Sequence, residues 1–175
     1  MEYSFAFISK AAGEFGRLFC RHLRLILAVI ATALAITAVL APVFESLGWR
    51  LLPKLIYGID SVLCHQVPER CLQISGSQAA VCARCFGGYV GFAMASVVFT
   101  AGRELSPATR LIFVLAGLIG LADAGLQIAQ VYDTGNLLRL AAGAALGLGS
   151  GMPVFMFVSA VEKSYNSEFS STATT

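Results

Sequence analysis

Long apolar segments constrain this chain more than any other feature of its sequence. One covers residues 23–44, a second covers 85–102, and a third extends from Leu111 to Ala160. A helix that crosses a bilayer needs about 20 apolar residues, so the third segment is long enough for two crossings. The turn-like sequence DTGN at 133–136 divides it, which predicts separate helices over 111–131 and 137–160.

The composition favours a membrane protein over a soluble one. The chain is 57% hydrophobic and 13% charged, whereas soluble domains are about 45–50% apolar and about 25% charged. We therefore expect an all-α, polytopic membrane protein with four transmembrane helices in a bundle, and a single domain over residues 1–165. The polar segment 166–175 is typical of a disordered tail. No basic arm or aromatic-basic patch indicates nucleic-acid binding.

The segments around the first crossing also need an interpretation. The apolar run at 23–44 is longer than the roughly 7–15 residues of a signal-peptide core, which predicts a retained helix. Residues 49–63 carry Arg50, Lys54 and Asp60 among apolar residues at helical spacing. Such a segment is too charged to cross the bilayer, and its pattern predicts an amphipathic helix along the interface.

The distribution of basic residues predicts the orientation in the membrane, and the small residues predict how the helices pack. Seven basic residues fall on the side of the N-terminus and five on the other, which predicts both termini in the cytoplasm. Small residues recur every four positions at Gly87 and Gly91 and again at Gly143 and Gly147. Stripes of this kind let helix backbones approach closely, so we expect them to mark helix contacts.

Residues 64–91, CHQVPERCLQISGSQAAVCARCFGGYVG, hold four of the five cysteines. Cys82 and Cys85 form a Cys-x-x-Cys pair, a spacing that suits either one metal ion or a redox disulfide. Cys64 and His65 are adjacent, and adjacent side chains diverge in regular structure, so only one of them is expected to join the pair on a single ion. Arg84 lies inside the pair and favours the thiolate form of its neighbours.

Polar residues inside the third and fourth helices indicate a second part of the site. Asp123 and Gln127 lie one turn apart on a single helix face. A carboxylate inside a bilayer needs a partner or a function, and Arg139, near the start of the next helix, is the expected partner. We expect catalytic roles for Asp123, Arg139 and Arg84. The expected cofactor-binding residues are Gln127, Asn136 and Tyr89.

The motifs in this region resemble an uncharacterised family of small prokaryotic membrane proteins, known only as a domain of unknown function. The resemblance rests on matching residues in three segments: Cys64, His65, Gln66, Pro68 and Arg70; Cys82, Arg84, Cys85, Gly87, Tyr89 and Gly91; Asp123, Gln127, Asn136, Arg139 and Gly143. It implies a multi-pass protein of a prokaryotic cytoplasmic (inner) membrane and no settled activity. Two residues depart from the family pattern: Cys71 replaces a serine, which argues against Cys71 as a ligand, and Ala124 replaces a glycine.

Three functions fit these observations. The first is a metal centre at the outer membrane face, built from Cys82, Cys85 and Cys64 or His65 above the Asp/Arg pocket, in a metalloenzyme or a metal-handling protein. Zinc, copper or iron suit such ligands. The second is a quinone-linked thiol–disulfide oxidoreductase that pairs Cys64 with Cys71. The third is a disulfide-stapled structural subunit. The expected partners are the lipid bilayer, a lipid or quinone substrate, and a second copy or a membrane complex.

Overall fold

The computed structural model describes the backbone of residues 2–100 and 105–172, and the side chains of residues 19, 22–99 and 105–164. It is mostly helical, which confirms the coarser part of the predicted fold class. The helices are α1 (Glu2–Ser46), α2 (Leu51–Asp60), α3 (Ala83–Thr100), α4 (Pro107–Ile128) and α5 (Asn136–Thr172). Residues 101–102 of the predicted second crossing and 173–175 of the predicted tail lie outside the described residues, and α5 includes the segment 166–172.

Three of the described helices are long and apolar enough to cross a membrane. They are His22–Ser46 within α1, Pro107–Ile128, and Asn136–Ser164 within α5. The described part of α3, Ala83–Phe99, is apolar but shorter. Many large apolar side chains stay exposed on these helices, among them Val29, Ile119 and Phe157. Such a surface is expected where lipid replaces water as the solvent.

The prediction of an all-α chain is wrong in one place. Between α2 and α3 the chain forms a 3₁₀ turn at Pro68–Arg70 and an antiparallel hairpin of β1 (Cys71–Ile74) and β2 (Ser77–Cys82). Ser75 and Gly76 join the strands, with φ of 53° and 87°. Two left-handed residues match the twist of paired strands, which is why two-residue turns of this kind produce hairpins.

Helix α5 is the centre of the bundle, with α3 and α4 packed closely on it. An added Cβ at Gly87 would lie 2.1 Å from the Leu140 carbonyl oxygen, and one at Gly91 would lie 2.1 Å from that of Ala144. Further along, Gly151 faces Ala95. Contacts that advance in the same direction on both helices show that α3 and α5 run parallel. The small-residue stripes are therefore packing surfaces.

The end of the bundle opposite the β-hairpin is closed by aromatic packing and one ion pair. Phe155 of α5 contacts the rings of Phe92 and Phe99 at centroid distances of 5.2 and 5.8 Å. Arg24 of α1 pairs with Glu162 of α5. These contacts join α1, α3 and α5 far from the cysteine stretch. They therefore hold in place the helices that carry the hairpin at the other end.

Candidate metal centre

Three cysteines converge at the junction of α2, the hairpin and α3. Cys64 lies four residues beyond the end of α2, Cys82 ends β2, and Cys85 lies in the first turn of α3. Their sulfur atoms lie within 4.8 Å of one another. A tetrahedral zinc ion with Zn–S bonds of about 2.3 Å places sulfurs about 3.8 Å apart, so a small inward adjustment would let all three bind one ion.

Backbone amides hold the sulfur of Cys64 in place. The Cys82 N–H donates to this sulfur over 3.2 Å, and the backbone of Gln66 also favours its ionised form. The neighbouring Cys82 and Cys85 thiols, together with the backbone, lower the pKa of the Cys64 thiol despite its burial. Hydrogen bonds to an ionised sulfur favour that form, and a thiolate is the form that binds metal.

The position of Cys64 depends on the side chain of Gln66. Its Nε2 donates to the carbonyl of Tyr57 in α2 and to that of Ala80 in β2, both over 2.8 Å. Gln66 itself has a φ of 49°, a left-handed conformation that a glutamine adopts only when its surroundings hold it there. The amide thus ties α2 to the hairpin across the chain that carries Cys64.

The structure distinguishes among the remaining residues of the stretch. His65 is exposed and is not part of the sulfur group. Cys71 is 1% exposed, and it is the strand partner of Cys82, outside the group. Burial raises the pKa of the Cys71 thiol to about 11, so this thiol is protonated at neutral pH. All four cysteines of the stretch are free thiols, and the side chain of Cys20 lies outside the described residues.

The predicted partner of Asp123 is wrong. Its carboxylate pairs with Arg84, whose Nη2 lies 2.9 Å from Oδ2. Tyr132 donates to Oδ1 over 2.5 Å. Arg84 comes from the first turn of α3, between Cys82 and Cys85, and reaches α4 because both helices pack on α5. The pair therefore connects the cysteine group directly to the polar face of α4.

Arg139 joins the same network one step away. It pairs with Asp133, its Nη1 donates to the Asn136 side chain over 3.1 Å, and its Nε donates to Gln127 Oε1 over 3.3 Å. The amide nitrogen of Gln127 donates in turn to Asp123 over 3.0 Å. Gln127 therefore links Arg139 to Asp123, the two residues that were predicted to contact each other directly.

Asn136 and Tyr89 connect this network and α3 to the cysteine end. Asn136 Nδ2 donates to the Cys71 carbonyl over 3.1 Å, which fastens the start of α5 to β1. Tyr89 packs with Phe86 against the apolar group around Cys64 and Val81. Tyr89 therefore belongs to the cysteine side, while the other two expected cofactor-binding residues, Gln127 and Asn136, belong to the arginine side.

The residue that the sequence analysis missed is Asp60. It is 1% exposed, and neither carboxylate oxygen has a hydrogen-bond partner among the described residues. Burial, together with the nearby Cys64, raises its pKa to about 6. No sequence signal distinguishes Asp60 from Arg50 and Lys54, the exposed charges of the same segment, so its burial follows only from the packing of α2.

These features define a multi-helix membrane protein with a cysteine group at one end of its bundle. Residues 64–153 match the model of the family described as "Predicted membrane protein (DUF2085)". The chain belongs to this family. The matched range begins at Cys64 and includes the other two clustered cysteines, Asp123 and Arg139.

Relatives of the chain occur in archaea. It is 32% identical over 116 residues to an uncharacterized protein of Methanocaldococcus jannaschii, an alignment that covers 62% of this chain and 74% of the relative. It is 31% identical over 88 residues to an uncharacterized protein of Methanothermobacter thermautotrophicus, covering 50% and 79% respectively. No solved structure matches the chain.

Proposed function

We propose that Cys64, Cys82 and Cys85 form a metal centre at the outer face of the membrane. The observation that carries the proposal is the convergence of three sulfurs, from a loop, a strand and a helix, to within 4.8 Å. The amide hydrogen bonds to Cys64 add support, because they favour a thiolate before any metal is present. In this proposal Cys64 rather than the exposed His65 completes the ligand set with the Cys-x-x-Cys pair.

The donor set restricts the metal. Thiolates select soft or borderline ions, which are zinc, copper(I) and iron among those common in proteins. Structural zinc sites normally have four protein ligands, whereas a site with three leaves a position for another molecule. The three clustered cysteines therefore suit a metalloenzyme or a metal-handling protein better than a purely structural site.

The test is to purify the protein in detergent under reducing, anaerobic conditions and measure bound metals and free thiols on the same sample. We expect about one metal ion per chain and free Cys71. Cys64→Ser, Cys82→Ser and Cys85→Ser should each lose most of the metal, because each removes a ligand. Cys71→Ser and His65→Ala are the matched controls and should retain it.

The same measurements decide for the alternatives. A thiol–disulfide oxidoreductase would be indicated by three results together. Bound metal would be at background, Cys64 and Cys71 would form a disulfide, and Cys71→Ser would abolish quinone-dependent oxidation of a dithiol. Two disulfides without quinone-dependent activity would indicate a stapled structural subunit. One observation favours the redox alternative: Cys82 and Cys85 are free thiols of a Cys-x-x-Cys pair, and their sulfurs lie within 4.8 Å of each other.

A lipid or quinone substrate would find an apolar cleft beside the centre. A cavity of about 520 Å³ lies between α1 and α3, lined by Ile36, Phe86, Met94 and neighbouring residues that are apolar except for Thr32. Phe86 directly follows Cys85 and also packs against the cysteine group. An apolar tail in this cleft would place its polar head near the thiols.

We also propose that α3 is a fourth crossing. Its 18 residues span about 27 Å, close to the ~30 Å of the hydrocarbon core, and it runs parallel to the spanning part of α5. Four crossings put both termini on one side, and the basic residues around the first helix favour the cytoplasm of a prokaryotic cell. The cysteine group then faces outward.

Labelling tests this orientation. Intact cells that carry Ser167→Cys should show no modification at that position with a membrane-impermeant maleimide, and should show it after permeabilisation. Ser61→Cys, at an exposed position beside the cysteine group, is the matched control and should be modified in intact cells. The reverse pattern, read by peptide mass spectrometry, would place the cysteine group in the cytoplasm.

A further inference from the structure

Asp60 is the least satisfied buried group beside the cysteines. Its side chain is 1% exposed, both oxygens lack a hydrogen-bond partner, and the ion pairs of the described residues do not include it. A buried carboxylate without a partner is costly, so buried carboxylates are normally paired or bound to a metal centre. The position of Asp60 therefore indicates a partner that the described part of the polypeptide does not supply.

The location of Asp60 points to the centre. Its backbone carbonyl accepts the Cys64 N–H over 2.9 Å, so the chain turns directly from the aspartate to the first cysteine. Its carboxylate interacts electrostatically with Cys64 and with Tyr89, and both of these residues belong to the packed group around the sulfurs. The buried aspartate is therefore one turn of chain away from a member of the sulfur group.

The spacing excludes Asp60 from the sulfur group itself. Its oxygens are not among the ligand atoms that lie within 4.8 Å of one another. A carboxylate that is not a direct ligand can still act on a metal site by binding a water molecule that is coordinated to the ion.

We propose that Asp60 holds a fourth, exchangeable ligand of the size of a water molecule on the metal bound by Cys64, Cys82 and Cys85. This inference rests on the proposed metal centre and extends it: the centre is open, with three protein sulfurs and one small oxygen ligand. Asp60 is a positioning residue that acts through that oxygen. The class of ligand this centre accepts is a water, a hydroxide or the oxygen of a small substrate that displaces it.

Zinc-loaded protein in detergent provides the first measurement. X-ray absorption at the zinc edge should show three sulfur atoms and one light atom around the ion. Four sulfur atoms would overturn the inference while leaving the metal centre intact, because a fourth thiol would then close the site. Failure of the wild-type protein to bind zinc, copper(I) or iron would overturn the metal centre and the inference together.

The second measurement compares Asp60→Asn with Glu69→Gln, an exposed acid on the same connection. Zinc affinity, measured by transfer to a chromophoric chelator, should fall about 10- to 100-fold in Asp60→Asn, as is typical when the partner of a metal ligand is removed, and should stay unchanged in the control. The metal-free Asp60→Asn protein should melt no lower than the wild type, since it loses an unpaired buried charge. Unchanged affinity, or a lower melting temperature without metal, would overturn the inference.

Discussion

Gly143→Ala is expected to separate α3 from α5 and to disrupt the cysteine group. A Cβ at this position would lie 2.1 Å from the Arg84 carbonyl oxygen and 3.0 Å from its Cα. Backbone atoms cannot move aside as a flexible side chain can, so one helix must shift. Overpacking of this kind costs about 1–3 kcal/mol, and a backbone clash belongs at the upper end of that range. Because Arg84 lies between Cys82 and Cys85, the shift should also lower the amount of bound metal.

Gly125→Ala is the matched control for this prediction. Gly125 lies in α4, and a Cβ there would meet nothing within 4 Å. Alanine is a better helix former than glycine by up to about 1 kcal/mol, so the control should be as stable as the wild type or slightly more stable. Both variants are measured by unfolding in detergent and by metal content. Equal stability of the two variants would mean that α3 and α5 do not approach as closely as the structure shows.

Much of the helical framework was predictable because it depends on local patterns. The apolar segments gave approximate positions for the long helices, and the glycines of 87–91 and 143–147 predicted close helix contacts. The hairpin was missed although Ser75–Gly76 is a turn signal, because the short strands around it carry no long alternating pattern. The number of crossings depends on α3, whose length is at the margin for a span.

The site was predictable where it depended on spacing and not where it depended on the fold. The Cys82 and Cys85 pair follows from its spacing alone. The choice between Cys64 and His65 required the path of the chain after α2, which Gln66 fixes through contacts with Tyr57 and Ala80. No local pattern contains those contacts. Asp60 was treated as one charge of an interfacial helix, and only the packing of α2 shows that it is buried.

The partner of Asp123 illustrates the same limit. Arg139 was chosen because it begins the next helix, whereas Arg84 is 39 residues away along the chain. The parallel packing of α3 on α5 brings Arg84 to α4. The glycines that permit this packing are visible in the sequence, but the sequence does not show which glycine meets which part of the other helix. Residues distant in sequence become neighbours through the bundle, so their pairing follows from the fold and not from helix periodicity.

The Arg84–Asp123 pair should be among the largest single contributions to stability at this end of the bundle. Asp123→Asn keeps the shape of the side chain and removes its charge, which leaves the Arg84 guanidinium without a counter-charge. The side chains of Arg84 and Asp123 are 22% and 14% exposed, so the loss should be near the lower end of the cost of breaking a buried pair, about 3 kcal/mol. Unfolding in detergent, followed by the fluorescence of the single tryptophan, measures it.

A double-mutant cycle distinguishes the loss of this ion pair from a general destabilisation of the fold. Arg84→Met removes the positive charge that Asp123→Asn leaves without a counter-charge. The double variant should therefore lose less stability than the sum of the losses in the two single variants. Glu69→Gln, an exposed acid-to-amide change outside the network, should leave stability within about 0.5 kcal/mol of the wild type. Additive losses in the cycle would show that Arg84 and Asp123 do not depend on each other. The cysteine group would then be held by the helix contacts alone, without the charge pair that joins α3 to α4.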